Sequence, residues 1–364
     1  MFPRLEYLEW MAGRADAAPY DLGTSDLGEE DLNRDTVEPL RVADLPSPPA
    51  GATLEHLLAE EYDVQPESVL VTAGATHANF IAYTTALDRA EKDAVVVEDP
   101  AYEPLVKTPE GLGGTVSRFD RGEAGALDAD AIESAVTDET AIVAISNRHN
   151  PTGALAERTS LEQAADVAAG VDAPLLVDEV YAPFVVDPRD GAFGGPSAAS
   201  IDDAVVTGSL TKFFGLGDLR IGWLVGDPAF VGRARQIAYH LPDVAGPSRS
   251  LAARALFASE SVAKEQRDLV ETNHGLLSNF VDERDDLAGL VHDGSTFAFL
   301  EPTDVAANTL VEAAWEEGVL LVPGRFYDTP DRIRVSVGGA STDVEVSLKR
   351  FAQVLTDVGQ TSNS

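Results

Sequence analysis

Lysine is scarce in this chain, with five in all. One of them, Lys212, lies between two apolar runs, 204–208 and 221–225, that read as buried strands. A buried amine is costly unless it is paired or neutral. An amine whose pKa is depressed can attack an aldehyde and form a Schiff base. Ser209 and Arg220 flank it with a hydroxyl and a planar fork of N–H donors, both suited to an anionic group. That combination fits a phosphorylated aldehyde as cofactor. Ser-x-x-Lys also opens the signature of serine β-lactamases and penicillin-binding proteins. The Ser-Asp-Asn and Lys-Thr-Gly that must follow it there are absent. Taken alone, Lys212 also reads as an ordinary lysine in a surface loop.

Four further motifs sit where strands are expected to end. In Thr72-Ala-Gly74-Ala75-Thr76, a strand turns into a helix through Gly74 and leaves the N–H groups of Ala75 and Thr76 free for a phosphate. A plain strand-to-helix turn has the same pattern. Asn150 opens Asn-Pro-Thr-Gly153, and its amide can donate to a phenolate oxygen; an ordinary Asn-Pro turn is the alternative. Asp178 opens Asp-Glu-Val-Tyr181 after an apolar run, and a carboxylate there needs a partner such as a protonated pyridinium. It can equally cap a helix. Tyr181 can bond the same phenolic oxygen as Asn150. Tyr102, in Asp99-Pro-Ala-Tyr102, can stack on an aromatic ring or fill a core beside a turn.

The elements that must position these residues alternate. Strands are expected over 69–72, 94–97, 114–119, 140–146 and 174–177, with helices over 76–89, 127–136 and 160–169 between them. Val-, Ile- and Ala-rich strands separated by helices imply a mostly parallel sheet covered on both faces. Thr53 is placed to cap a helix over 54–62. Residues 1–44 read as an arm or cover rather than a folded unit, and 45–51 as a linker. Helical patterns run from 228 to beyond 284. The remainder mixes strands (296–300, 332–337) with helices (305–317, 344–358), and 360–364 reads as a frayed tail. The expectation is a large α/β domain over 45–245. A smaller α+β domain over 246–364 accompanies it, with 1–44 as the arm.

Composition sets outer limits. The chain has 26 Lys+Arg against 62 Asp+Glu, a net charge of −36, and no cysteine. Such a surface repels nucleic acid and anionic membranes. No apolar run approaches a membrane span, and no signal peptide is evident, which fits the cytoplasm. The six histidines show no His-x-x-x-His spacing, so no metal site is expected. Acids spread along the whole chain, with scarce lysine, point to a high-salt cytoplasm.

In order and spacing, Gly-Ala-Thr, Asp-Pro-x-Tyr, Asn-Pro-Thr-Gly, Asp-Glu-Val-Tyr and Ser-x-x-Lys…Arg-x-Gly resemble the class I/II aminotransferases of pyridoxal-phosphate (PLP) fold type I. The resemblance covers 69–225 most closely. It implies that Lys212 carries PLP as a Schiff base and shuttles a proton, and that Asp178 pairs with the ring nitrogen. Asn150 and Tyr181 would bond the phenolic oxygen. Gly74, Ala75, Thr76, Ser209 and Arg220 would cradle the phosphate, and Tyr102 would stack on the ring. Arg334, in Arg332-Ile-Arg-Val-Ser336, would bind the substrate α-carboxylate, with Arg332 as the competitor. The implied reaction is transamination between an amino acid and a 2-oxo acid, by a homodimer. A carbon–sulfur lyase or a cyclising amino-acid enzyme of the same fold type would share every motif. The chain departs from many relatives at Pro46, where they carry a tyrosine that reaches the neighbouring subunit's phosphate. Neither Arg148 nor Arg325 matches an arginine for a second substrate carboxylate, which leaves an aspartate or glutamate preference unsupported.

Overall fold

The computed structural model describes residues 3–28 and 39–362. Apolar runs without polar alternation have no face to offer water, so they pair in the interior. All residues of Thr140–Ser146, Leu175–Asp178 and Ala204–Ser209 are buried. They form the middle of a seven-stranded sheet. Its order is Val69–Thr72, Gly222–Val225, Ala204–Ser209, Leu175–Asp178, Thr140–Ser146, Ala94–Asp99, Thr115–Asp120. Neighbours from Ala204–Ser209 to the Thr115–Asp120 edge are parallel. Gly222–Val225 runs antiparallel to both of its neighbours. This is the mostly parallel, mixed sheet expected.

Successive side chains leave a strand on opposite faces. Val95 and Val97 pack with Ile81, Tyr83 and Phe230 under the helices Ala75–Ala90 and Pro228–Ala238. Val96, Val143 and Ile145 pack on the other face with Leu58 of Leu54–Tyr62 and Leu161 of Arg158–Ala169. Thr53 caps Leu54–Tyr62 as expected, accepting from His56 N (3.3 Å). The long helical region resolves into three helices, Pro228–Ala238, Gly246–Phe257 and Ser259–Asp282.

A second, four-stranded antiparallel sheet has the order Val322–Pro323, Ile333–Ser336, Phe297–Pro302, Leu287–Ala288. With Ala307–Glu316 and Ser341–Ser362 it encloses its own core around Leu300, Leu310 and Phe351. This is the smaller α+β part. Ser341–Ser362 continues through most of the expected tail; residues 363 and 364 lie outside the described residues.

The N-terminal segment differs from the expected arm. It folds into a short helix, Glu6–Met11, and a strand, Tyr20–Asp21, parallel to Val319–Leu320. Leu22 and Leu27 are fully buried. The segment has too few apolar residues for a core of its own and completes those of the two sheets instead. The remainder of the expected arm at 1–2 and 29–38 lies outside the described residues.

Candidate active site

The carboxyl ends of the parallel strands all point the same way, and ligands gather there in open α/β sheets. Four of those ends are Asp99, Ser146, Asp178 and Ser209, with Ser146 opposite Asp178 and Asp178 opposite Thr207 across the sheet. A cleft of about 540 Å³ opens above them. It is lined by Ala75, Thr76, Tyr102, Asn150, Asp178, Tyr181, Ser209, Lys212 and Arg220. Gly74 directly precedes Ala75, and Arg334 bonds Asn150 and Tyr7 of the lining. The sequence motifs, spread over 69–334, therefore meet in one place.

At one end of the cleft is an anion site without an anion partner from the protein. Helix Ala75–Ala90 begins at Gly74 (φ +87°) with no side-chain cap. Its first N–H groups are thus available to a ligand. A Cβ on Gly74 would fall 2.8 Å from Arg220 Nη2, and one on Gly222 would fall 2.7 Å from Ala75 N. Both glycines keep the cradle open. Among the described residues the Arg220 guanidinium makes no hydrogen bond or ion pair, although the chain holds 62 acids; only its main-chain N–H is engaged, by Gly217 O (3.0 Å). Ser209 Oγ accepts only from Thr211 N (3.3 Å). Uncapped N–H groups, a free guanidinium and a hydroxyl fit a phosphate.

Asp178 lies on the floor, 5% exposed. Asn79 Nδ2 donates to its Oδ2 (2.7 Å) and Val180 N to its Oδ1 (3.2 Å). Burial pushes its carboxyl above the ordinary carboxylate range; these hydrogen bonds and Lys212 pull the other way. No Arg, Lys or His among the described residues forms an ion pair with it. A protonated ring nitrogen is the kind of partner this carboxylate lacks. Asn79 is in turn fixed by Thr207 Oγ1, which donates to its Oδ1 (2.6 Å). Sequence reading missed Asn79. Its signal was a polar residue on the apolar face of a helix, among Ala78, Ile81 and Ala82.

Lys212 Nζ forms an ion pair with Asp26, from the N-terminal segment. Burial, the largest single effect, lowers the amine's pKa, but Asp26, Tyr181 and Tyr7 together outweigh it and hold the pKa above the ordinary lysine value. The amine is paired rather than neutral, by a carboxylate 186 residues away in sequence. The Tyr181 hydroxyl lies 2.6 Å from Ser25 Oγ, and the Tyr102 ring meets the Tyr7 ring edge-on at 5.8 Å.

Arg334 is 2% exposed. Its Nη1 donates to Asn150 Oδ1 (2.8 Å) and the Tyr327 hydroxyl (2.6 Å), and its Nη2 to Gly23 O (2.9 Å) and the Tyr7 hydroxyl (3.2 Å). Its Nε has no partner. Among the described residues no carboxylate pairs with it. Arg332 lies instead at the rim, against Phe299 and 4.0 Å from Glu301. Arg148 is buried and bonds only the main-chain carbonyls of Gly153, Phe184 and Asp293, while Arg325 bonds Asn308. Neither serves the cleft.

Behind Asn150 lies a buried network that no local motif announced. Ser146 Oγ accepts from Asn150 N (3.1 Å) and donates to Glu98 Oε1 (2.6 Å). Arg121 Nη1 donates to Glu98 Oε2 (3.1 Å). Burial pushes the Glu98 carboxyl up to about 7 against the pull of Arg121. The network holds the Asn150 turn from beneath. His149 bonds Pro100 O (2.9 Å) and lies 4.0 Å from Glu98, and His77 accepts from Ala73 N (3.1 Å); neither lines the cleft. Among the described residues no group of three His, Cys, Asp or Glu is placed to hold a metal ion, and no described helix is long and apolar enough to cross a membrane.

A mixed sheet carrying a lysine, a buried acid and an open phosphate cradle at its carboxyl edge defines a PLP enzyme of fold type I. The family model described as aminotransferase class I and II matches residues 43–351, and the chain belongs to that family, whose cofactor is PLP. It is 29% identical over 304 residues to a histidinol-phosphate aminotransferase of Halorubrum lacusprofundi, covering 83% of this chain and 79% of the relative. Its fold is similar to that of a solved PLP-dependent aminotransferase from Streptococcus suis, at a TM-score of 0.85 and 24% identity over 98% of both chains. It is similar, too, to a solved PLP-dependent cyclase, at 0.82 and 21% identity, again over 98% of both chains.

Proposed function

We propose that this protein transfers an amino group between an amino acid and a 2-oxo acid. The observation that carries the reading is Arg334, a buried guanidinium without a carboxylate in a chain rich in them, bonded to Asn150 of the lysine's own cleft. A fixed fork of donors suits an α-carboxylate. Bound in the cleft, PLP supplies an electron sink for the pair left when the substrate's α-C–H bond breaks. Ala75, Thr76, Ser209 and Arg220 would hold its phosphate, and Asp178, steadied by Asn79, would keep its ring nitrogen protonated. Asn150 and Tyr181 would bond its phenolic oxygen, and Tyr102 would stack on the ring. Arg334 orients the substrate so that its α-C–H bond faces Lys212, whose Nζ takes up the proton. Tyr7, Leu8 and Met11 of the N-terminal helix line the cleft beside these groups. The same reading divides the chain into a cofactor-binding part at 45–245 and a part made of 1–44 and 246–364. It also takes a cytoplasmic homodimer as the working form.

A cyclising enzyme or a carbon–sulfur lyase would use the same groups, and one solved neighbour is a cyclase. Purified, PLP-loaded protein given a panel of amino acids with 2-oxo acid acceptors decides between them. Two-stage ping-pong kinetics with a new amino acid as product is expected. Release of ammonia and thiol, or a cyclic product without any need for an acceptor, overturns transamination. Borohydride reduction of the loaded protein should label Lys212.

A further inference from the structure

Residues 22–28 cross the mouth of the cleft and touch the site repeatedly. Leu22 O accepts from Ser336 N (2.8 Å), and Gly23 O accepts from Arg334. Ser25 meets Tyr181. Asp26 pairs with Lys212 Nζ, and Leu27 N donates to Lys212 O (2.9 Å). Gly28 N donates to Gly338 O (2.9 Å). The strap is thus tied to the small sheet, the floor tyrosine and the lysine itself. Nothing assigned so far to cofactor or substrate uses Asp26.

Lys212 must be charged for part of the reaction only. As a nucleophile its amine is neutral; after taking the α-proton it carries +1. A positive charge held in a cleft needs a counter-charge in place beforehand, because desolvation otherwise opposes it. The groups facing Nζ are Asp26 from the strap, Tyr7 from the N-terminal helix and Tyr102 from the turn after Ala94–Asp99. Asp178 and Tyr181, after Leu175–Asp178, complete the set. Of the two carboxylates, Asp178 is engaged by Asn79 and Val180, and Asp26 alone is bonded to the amine.

We infer that Asp26 is the counter-ion that stabilises the positive charge Lys212 carries once its amine has taken up a proton. The assignment rests on the aminotransferase reading above. The proton balance is simple. Nζ gains one proton from the substrate α-carbon and goes from neutral to +1, Asp26 stays at −1 throughout, and the same proton leaves Nζ before the next cycle. Asp26 therefore acts on a reacting atom without itself exchanging a proton.

The test reads Lys212 directly in the cofactor-free, full-length protein. Its side chain is 29% exposed, open to a small reagent. Fluorodinitrobenzene is applied over a pH series, and modification of the Lys212 peptide is measured by mass spectrometry. Lys92, Lys107, Lys264 and Lys349 serve as internal references. In the wild type, Lys212 is expected to titrate above all four. Asp26→Asn lowers its midpoint by about one unit or more, so that below that midpoint it reacts about tenfold faster. Asp26→Glu keeps the high midpoint. In the loaded enzyme, Asp26→Asn moves the acidic limb of the kcat profile, which reports the base that takes up the α-proton, to lower pH, which a strap held only for shape would not do. A wild-type midpoint at or below the references overturns the inference, as does an unchanged midpoint in Asp26→Asn. Should that variant not fold, the wild-type comparison and Asp26→Glu still decide it. Failure of the aminotransferase reading is separate: borohydride would then leave Lys212 unlabelled in the loaded protein, whatever its midpoint without cofactor.

Discussion

Arg334 and Arg332 stand two residues apart and meet different surroundings. Arg334 belongs to Ile333–Ser336 and points into the buried interior, where Asn150, Tyr327, Tyr7 and Gly23 hold its fork. Arg332 precedes the strand, more than a third exposed and near Glu301. Removing a charge-assisted contact to a substrate carboxylate costs about 1.5–3 kcal/mol, or about ten- to a hundredfold. Arg334→Ala should lower kcat/KM for amino acids by about that factor while the visible cofactor band persists. Arg332→Ala should stay within about twofold, as a rim ion pair is worth little. The reverse pattern would move the carboxylate site to Arg332; no loss in either variant would place it elsewhere. The site was legible where chemistry and local motif coincide, as at Lys212, Asp178 and Asn150. It was not legible at Asp26, Tyr7 and Tyr327. Tyr7 reaches Arg334 across 327 residues, and nothing in its own neighbourhood marks it as more than an exposed-helix tyrosine.

The shortest α-helix with a role in the site is the six-residue Glu6–Met11, far shorter than a helix that is stable alone. Its stability must come from contacts. Glu103 accepts from Glu6 N (3.1 Å) and Tyr7 N (2.7 Å), satisfying two of its orphan donors. Arg14, just beyond it, lies 4.5 Å from the ring centroids of both Trp10 and Trp315. Losing a cap costs about 1 kcal/mol. Glu103→Ala should therefore raise amide exchange over residues 3–17 by about fivefold, through local opening, while the global melting temperature barely moves. Unchanged protection in that segment would show that the aromatic contacts alone hold it. This element also shows why the sequence undersold the N-terminus. Strands and long helices announce themselves by period, and 69–72, 140–146 and 54–62 lie where expected. A six-residue helix has less than two turns in which to show a period, and its anchors lie on other elements.

At the scale of the whole molecule the governing quantity is charge. Twenty-six basic side chains face 62 acidic ones. The structure lessens even this compensation: Arg334, Arg148 and Arg220 have no carboxylate partner among the described residues, so they are withheld from the acids. Many of the remaining pairs, such as Arg158–Glu162 and Lys349–Glu345, are exposed and contribute little each. The folded state therefore packs an uncompensated negative surface that the expanded chain would spread apart. Salt relieves this at a distance: the screening length falls from about 10 Å at 0.1 M to about 3 Å at 1 M. Added KCl should raise the melting temperature, by about 3 °C between dilute buffer and molar salt if screening recovers about 2 kcal/mol. Most of the gain should come below about 0.5 M, where the screening length changes fastest. NaCl should act like KCl, since screening depends on valence and not on the ion. Sucrose, which strengthens burial without screening, should not reproduce the steep early rise. Activity should follow the same curve. A melting temperature flat from dilute buffer to 1 M KCl would mean that the acids are spaced widely enough not to strain the fold, and the proposed adaptation to high salt would fall with it.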